Sequence, residues 1–194
     1  NTCYDIIETA QNNRSFEDCE AAIHSVFGID CPFDEKDFFS ERTENLAEKL
    51  NMVAHDNYKK RIFAMCEKAL PIINMVYENE GQRFENIAIP ITDGKKTLQI
   101  IANLKRCVDN GAREIALTIE KNLTLAVIDN AWKEHLRAMD DLKQSVQNAS
   151  YEQKDPLLIY KFESFDLFAQ MINDIYREIV EFLNNGKIPI KEPN

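Results

Sequence analysis

Two long helical patterns that meet at a short polar junction constrain the fold of this chain more than any other feature. Apolar residues recur at mostly helical spacing over 112–147 and again over 157–182. The junction between the two patterns is polar and ends in Asp155 and Pro156. Asp155 can accept hydrogen bonds from the free amides of a first helical turn, and Pro156 suits the first helical position because it lacks an N–H. The sequence therefore predicts an antiparallel helical hairpin with one aromatic residue, Tyr151, at its tip.

The composition agrees with a mainly helical protein. The chain has 194 residues, of which 44% are hydrophobic and only 5 are Gly and 6 are Pro, so turns are few. This length allows one large or two small domains. The net charge of −10 argues against a nucleic-acid surface, which needs clustered Lys and Arg. It also provides no general attraction to anionic lipid, and no apolar run approaches the length of a membrane span.

The first eighty residues read as three helices. The first extends to about Ala10, and the second runs from a Ser15 cap to a Gly28 stop. The stretch 30–40 reads as a loop whose two aromatic residues, Phe38 and Phe39, plug against the core.

The third of these helices begins at a Thr43 cap and is the longest. It extends to about Gly81, with a kink or restart expected at Pro71.

A change of period follows this helix. Ile87, Ile89 and Ile91 alternate as in a strand, and Pro90 would confine that strand to a sheet edge. We expect one extended segment over 84–91 or a short two-stranded piece.

The next turn, Thr92-Asp93-Gly94, is expected to cap a helix. That helix would carry Leu98, Ile101 and Leu104 and end at Asn110-Gly111. The predicted fold is mainly α with a minor extended segment.

The cysteines point to packed, reduced thiols in a cytosolic protein. There are five, an odd number, and none forms a CxxC pair. They are Cys3, Cys19, Cys31, Cys66 and Cys107.

The candidate catalytic motifs are incomplete. Gly94-Lys95-Lys96-Thr97 lacks the earlier Gly of a phosphate-binding loop, and Glu134-His135 lacks a second His four residues away. Asp140 and Asp141 are adjacent, so on a helix they do not face one another. We therefore predict no catalytic, cofactor-binding or metal-binding residue, and a hydrolase with a scattered site is the least favoured class.

Four motifs occur in order along the hairpin. They are Trp132-Lys133-Glu134-His135-Leu136, Met139-Asp140-Asp141-Leu142, Tyr151-Glu152-Gln153-Lys154-Asp155-Pro156 and Tyr160-Lys161-Phe162-Glu163-Ser164-Phe165. Together they resemble the helical scaffold of SecA, the ATP-driven motor of bacterial preprotein translocation. The resemblance is strongest over 111–183, and the earlier part is similar to the helical wing of that family.

The resemblance implies a division into parts. Residues 1–109 would form a helical wing-like domain, and 110–186 the C-terminal part of the scaffold with its two-helix finger, whose tip spans about 147–156. Residues 187–194 would be a tail. The chain would be a non-catalytic fragment that couples ATP hydrolysis to preprotein movement and regulates that hydrolysis. ATP and Mg would be bound by motor domains elsewhere in the parent protein.

The resemblance also implies roles for six residues. A face that docks toward the motor would contain Trp132, Glu134 and His135. The tip residues that contact preprotein or channel would be Tyr151, Gln153 and Lys154. From the residues alone, Trp132 is read as a core anchor and Tyr151 as an ordinary loop tyrosine. Many family members carry Leu-Arg-Gly before the tip tyrosine, where this chain has Asn148-Ala149-Ser150.

The expected partners follow from the same resemblance. They are the SecY channel complex, preprotein substrates and the motor domains of the same parent chain, with no nucleic acid. A homodimer through uncovered apolar surface is a further expectation. The parent would be cytoplasmic and peripherally associated with the inner membrane. The alternative class is a helical interaction module unrelated to secretion, which would bind a soluble partner and ignore the channel.

Overall fold

The computed structural model describes residues 2–148 and 155–189. Within these ranges the chain forms seven helices and one two-stranded antiparallel sheet, which confirms the predicted mainly α fold with a minor extended part. Two compact units are present. Unit 1 comprises Asn1–Leu123 and Val180–Asn194, and unit 2 comprises Thr124–Ile179. The predicted domain limits near residues 109 and 186 stay predictions.

The elements follow one another in a simple order. They are α1 (Thr2–Asn13), α2 (Phe16–Phe27), α3 (Glu35–Ser40), α4 (Thr43–Glu80), β1 (Asn86–Thr92), β2 (Thr97–Asn103), α5 (Leu104–Asn110), α6 (Ala112–Asn148) and α7 (Pro156–Asn185).

The limits of α2 agree with the predicted cap and stop. The Ser15 hydroxyl accepts a hydrogen bond from the Asp18 amide at 3.1 Å, which satisfies one free amide of the first turn. Gly28 adopts a left-handed φ of 63° and donates its N–H to the His24 carbonyl, which suits a residue without a Cβ.

The segment predicted as a loop over 30–40 contains a short helix. Asp34 caps α3 by accepting from the Asp37 amide at 2.8 Å, a local signal that the loop interpretation overlooked. Phe38 is fully buried, as expected, and its ring packs against the ring of Phe16. Phe39 is 55% exposed, so only one of the two aromatic residues plugs the core.

The start of α4 lacks the predicted Thr43 cap. Arg42 occupies the cap position without a side-chain cap hydrogen bond, and Thr43 is already helical. The Gln11 amide donates to the Phe38 carbonyl at 2.8 Å, while its oxygen accepts from the Thr43 hydroxyl at 2.6 Å. A side chain of α1 thereby ties α3 to α4.

Pro71 does not restart the helix. Helix α4 runs without a break from Thr43 to Glu80, with Pro71 inside it. Pro71 has no N–H to donate to the carbonyl four residues earlier, so one hydrogen bond of the ladder is missing there.

The sheet replaces a predicted helix. Strands β1 and β2 pair from Asn86↔Asn103 to Thr92↔Thr97, so the helix expected to include Leu98 and Ile101 is wrong. Ile101 is 54% exposed while its neighbours Ile100 and Ala102 are buried, the two-residue alternation of a strand.

The side chains of Thr92 and Asp93 hold the turn of this hairpin. The Asp93 carboxylate accepts from the amides of Lys95 and Lys96, at 2.8 and 2.7 Å. These bonds belong to a hairpin turn rather than to a helix cap. The helix begins later, at Leu104, where Asn103 caps α5 by accepting from the Arg106 amide.

The end of α7 packs into unit 1. The helix stops at Asn185. The Asn185 amide donates to the Ser25 and Val26 carbonyls, at 3.0 and 3.3 Å, near the end of α2. Arg61 of α4 donates to the carbonyl of Asn184. Helix α7 therefore supplies the carbonyls at the end of α2 with a donor.

No helix in the described ranges combines the length and the apolar character needed to cross a membrane.

Candidate functional site

Unit 2 is a helical hairpin with a narrow buried seam. Its buried apolar residues are Val127, Leu142, Val146, Met171 and Ile175. The start of α7 has the predicted geometry, since the Asp155 carboxylate accepts from the amides of Leu157 and Leu158 at 2.9 and 3.4 Å. Pro156 is the first helical residue.

A second apolar stripe on each helix is exposed. We call these stripes together the apolar face. On α6 it comprises Leu125, Ile128, Trp132 and Leu136, and on α7 it comprises Leu158, Phe162, Phe165, Phe168 and Tyr176. The spacings of three, four and eight residues keep each stripe on one side of its helix. Single exposed apolar residues are ordinary on a protein surface, whereas several on one side of a helix are typical of surfaces that contact other proteins.

The two stripes meet at three rings. The centroids of the Trp132 and His135 rings lie 5.6 Å apart, and the His135 and Phe168 rings form an edge contact at 5.8 Å. His135 is half-buried between the helices, whereas Trp132 is 47% exposed. The residue type alone indicated a core anchor at Trp132, but this exposure shows that it is not one. It presents a large ring that the hairpin itself does not cover.

Glu134 lies away from these rings. It follows Trp132 by two positions, which places it about 200° around the helix. Its carboxylate pairs with Arg137 one turn later, and both side chains are largely exposed. The structure thus brings Trp132 and His135 together and leaves Glu134 on another side of α6.

The predicted tip residues Tyr151, Gln153 and Lys154 lie outside the described residues. Their roles remain predictions from the family resemblance.

An acidic cleft lies between the two helices of unit 2. Its volume is about 420 Å³, and Asp141, Glu163 and Asp166 line it beside Leu142 and Leu167. In the described part of the chain, no group of three His, Cys, Asp or Glu residues is arranged to hold a metal ion. The adjacent Asp140 and Asp141 do not form a facing pair, because only Asp141 lines the cleft.

The cysteines are packed thiols. Four of the five are buried and Cys31 is half-buried. Burial raises the pKa of Cys3 to about 11 and that of Cys66 to about 12. These thiols stay protonated at neutral pH, which is the opposite of what a nucleophilic cysteine needs.

Sequence reasoning missed that much of the apolar face is exposed. The mostly helical spacing of apolar residues over 157–182 predicts one packing side for α7, which would include Leu158, Phe162, Phe165 and Phe168 together with Met171 and Ile175. The signal was present, because these positions cover an arc too wide for a single neighbouring helix to bury. Only Met171, Ile175 and the later Phe182 are buried.

The fold and the apolar face together define a class of protein. This is a helical scaffold module, with a small β-hairpin in one unit and an exposed aromatic surface on the other, of the kind that packs against further protein.

The chain belongs to the SecA family: the family model "SecA Wing and Scaffold domain" matches residues 2–187. This confirms the family that the four hairpin motifs indicated.

Curated relatives agree with the family match. The chain is 46% identical to the protein translocase subunit SecA of Bacteroides fragilis over 94% of its length. It is 44% identical to that of Bacteroides thetaiotaomicron and 37% identical to that of Porphyromonas gingivalis, over 99% of the chain in each case. It spans only 16, 17 and 18% of the length of these three relatives, in the same order. No solved structure matches the chain.

Proposed function

We propose that this chain is the wing and scaffold part of a SecA-type motor. In this role it couples ATP hydrolysis by the motor domains to movement of preproteins through the SecY channel, and it restrains hydrolysis until partners engage. The chain itself carries no catalytic step, and ATP and Mg bind to the motor domains of the parent. The relatives are protein translocase subunits, which supports a role in this process. The apolar face of unit 2 is the single observation that supports the mechanical role.

The size of the apolar face favours a protein partner. Its members include Trp132, Phe162, Phe165 and Phe168, and Phe165 is 69% exposed. Fully burying one exposed side chain of this kind contributes about 1.5–3 kcal/mol, and these four are already about half buried, so covering them would contribute on the order of 5 kcal/mol before the costs of association. A surface of this kind suits a contact that persists through many cycles of movement.

We assign the motor side to the ring cluster of Trp132 and His135. Trp132 lies on the apolar face, and the His135 ring connects it to Phe168 on the opposite helix. A motor domain that presses on Trp132 would therefore act on both helices at once. Glu134, paired with Arg137, would contribute only at the margin of this contact because it points elsewhere.

We assign the channel side to the tip, with Tyr151, Gln153 and Lys154 as the contact residues. A phenol combines an apolar ring with a hydrogen-bonding end, so it can hold many polypeptide sequences weakly. On this proposal the parent is cytoplasmic and associates with the inner membrane through the channel, and its partners are SecY and preproteins.

The motor contact is tested by Trp132→Ala in the full-length parent. We expect higher basal ATPase activity, because restraint is released, and weaker translocation. Leu117→Ala is a matched control, since Leu117 is a 51% exposed apolar residue of the same helix that lies in unit 1. Unchanged ATPase activity in Trp132→Ala would count against the motor contact.

The channel contact is tested by Tyr151→Cys in the parent, with disulfide crosslinking to the channel and to a stalled preprotein. We expect crosslinks that require both ATP and channel. The parent without the new cysteine measures background from the native thiols. Absence of crosslinks while translocation continues would leave this hairpin as a scaffold and regulator only.

A further inference from the structure

Two Asn-Gly pairs occur in the sequence, and each lies at the end of a helix. Asn110-Gly111 ends α5, and Asn185-Gly186 ends α7. An Asn before Gly is prone to lose its side-chain amide, because a glycine without a Cβ leaves its backbone nitrogen open to the preceding side chain. In both pairs the glycine N–H donates to the carbonyl four residues earlier, at 2.8 Å for Gly111 and 2.7 Å for Gly186. Any difference between the pairs must therefore come from their side chains and surroundings.

The surroundings of Asn185-Gly186 hold this pair in place. The Asn185 side-chain amide donates to three backbone carbonyls at 2.9 to 3.3 Å, those of Ser25, Val26 and Glu181. Gly186 is buried, and a Cβ there would lie 3.2 Å from a side-chain carbon of β1. A reaction between the Asn185 side chain and the Gly186 nitrogen would first have to release these contacts.

The Asn110-Gly111 pair is more open. Asn110 is exposed and is the last residue of α5, a helix of seven residues. A Cβ added to Gly111 would have its nearest described neighbour, the Cδ2 of Leu70, at 3.7 Å, which is an ordinary van der Waals contact. Helix ends fray and short helices are marginal, so the Gly111 N–H leaves its carbonyl partner at small cost.

We propose that Asn110 is a modification site, at which the side chain deamidates through a cyclic imide with Gly111. Hydroxide removes the Gly111 amide proton, and the nitrogen forms a bond to the side-chain carbonyl carbon of Asn110. The bond from that carbon to the side-chain nitrogen breaks, and the nitrogen leaves as ammonia by taking a proton from water, which restores the hydroxide. A second water molecule then opens the imide at either carbonyl, which gives aspartate or isoaspartate at position 110.

A related pair, Asp93-Gly94, is held by its own turn. An aspartate can form the same imide by losing water instead of ammonia. The Asp93 carboxylate accepts from the amides of Lys95 and Lys96, at 2.8 and 2.7 Å, so ring closure onto Gly94 would have to break both bonds. The proposal is therefore specific to Asn110.

The modification adds a charge beside an ion pair that joins α5 to α6. Arg106 pairs with Glu114 at 2.8 Å, and the Glu114 side chain is only 13% exposed. Position 110 follows Arg106 at the i,i+4 spacing at which opposite charges on a helix attract, so a carboxylate there competes with Glu114. An isoaspartate also lengthens the backbone by one carbon just before Gly111, whose carbonyl accepts from the Glu114 amide at the start of α6.

The competition for Arg106 is tested with Asn110→Asp, which installs one product directly. Glu114→Gln should cost less unfolding free energy in this background than in the natural chain, because Arg106 already has a second carboxylate. Asn13→Asp is the matched control, since Asn13 is also an exposed last residue of a helix, and it should leave the cost of Glu114→Gln unchanged. An equal cost in the Asn110→Asp and natural backgrounds would overturn the competition.

Mass spectrometry of the aged chain tests the modification itself. The chain is incubated folded at mildly alkaline pH and digested, and the mass gain of about 1 Da is followed at each Asn-Gly pair. Asn110 should react at least about tenfold faster than Asn185, because Asn185 must first release its hydrogen bonds. Asn110→Gln should show no gain at position 110, because its longer side chain closes a larger ring slowly.

The same measurement in urea separates structure from local sequence. Both pairs are then Asn-Gly in an unfolded chain, and their rates should become similar. Equal rates in the folded chain, or a faster reaction at Asn185, would overturn the proposal. A rate difference that persists unchanged in urea would also overturn it, because the flanking residues and not the fold would then select Asn110.

Discussion

At the scale of single residues, Cys66 makes the stability of unit 1 sensitive to alkaline pH. The thiol is fully buried, and burial, followed by the charge of Glu120, raises its pKa from 9.0 to about 12. Between these values the unfolded chain has released the proton and the native chain has kept it. Stability therefore falls as pH rises above about 9, by at most about 1.4 kcal/mol per pH unit from this thiol.

The prediction is tested with Cys66→Ala. Urea unfolding at pH 8 and pH 10 should show a smaller loss of unfolding free energy in the variant, by about 1 kcal/mol. Val26→Ala is the control, because it also removes a buried group of unit 1 but none that titrates. If the variant and the natural chain lose the same free energy between the two pH values, the Cys66 thiol is not the source.

Gly186 allows the chain after α7 to lie close to Ile91 of β1, just before Lys187 forms its backbone hydrogen bonds with Thr92. A Cβ on this residue would lie 2.9 Å from the Phe182 carbonyl oxygen and 3.2 Å from the Cδ1 of Ile91. The first of these contacts is shorter than real Cβ atoms tolerate. We expect Gly186→Ala to displace the chain after α7, with exchange of the Thr92 and Lys187 amides about tenfold faster. Unaltered exchange at Thr92 would contradict this account, and the amide of Ile100, inside the hairpin, provides the reference.

Local residue chemistry explains what sequence reasoning predicted well. Ser15 and Asp155 cap helices through hydrogen bonds to amides two or three residues away. Such bonds need no distant partner, so the sequence alone reveals them. The exposure of Trp132 depends on which face of α6 the opposing helix covers, and the residue type carries no information about that choice.

At the scale of elements, the start of α7 depends on Asp155. Its carboxylate serves two first-turn amides, and Pro156 fills the position where an N–H would have no partner. Asp155→Ala should lower the stability of unit 2 by about 1 kcal/mol, measured by exchange of the Leu157 and Leu158 amides. Asp155→Asn should retain most of that stability, because Asn also caps helices well. Equal loss in both variants would indicate that charge rather than capping geometry is responsible.

The misassigned strand β2 shows where element prediction fails. Leu98, Ile101 and Leu104 have helical spacing in the sequence, yet the first two lie in a strand and only Leu104 is helical. The hairpin partner decided the outcome, because pairing with β1 satisfies backbone groups that a short isolated helix would leave open. That partner is recognised only if Thr92-Asp93-Gly94 is read as a hairpin turn.

At the scale of the whole molecule, the apolar face should make this chain associate when it is studied alone. We expect a concentration-dependent increase in sedimentation coefficient, since apolar surface of this extent is rarely left in water. Replacing Phe165 and Phe168 together with Ser should reduce association, whereas Leu117→Ser, outside the face, should not. A monomer at all concentrations would show that the face alone does not drive association.

The sequence contains a single Trp, and Trp132 lies on this face. Its fluorescence should therefore shift to shorter wavelength as association proceeds, which reports on the face without a label.

The family and the hairpin could be predicted from the sequence because they depend on motifs and periodicity. Which segments of the chain belong to each of the two units could not be predicted in this way. Unit 1 takes in the last residues of α7, from Val180 onward, and this depends on contacts such as Asn185 with the end of α2. The partners in that contact are 160 positions apart, and no local pattern encodes the pairing.

Unit 1 consists of two separate segments of the chain, which has a consequence for its synthesis on the ribosome. Its first part is complete at Leu123, but Asn185, which serves the end of α2, is made 62 residues later. At about 5–20 residues per second, a nascent unit 1 waits on the order of 3–12 s for its final segment. All of unit 2 is translated during that interval. The carbonyls of Ser25 and Val26 thus have no Asn185 to bond until the hairpin has been translated, so the part made first is the part finished last.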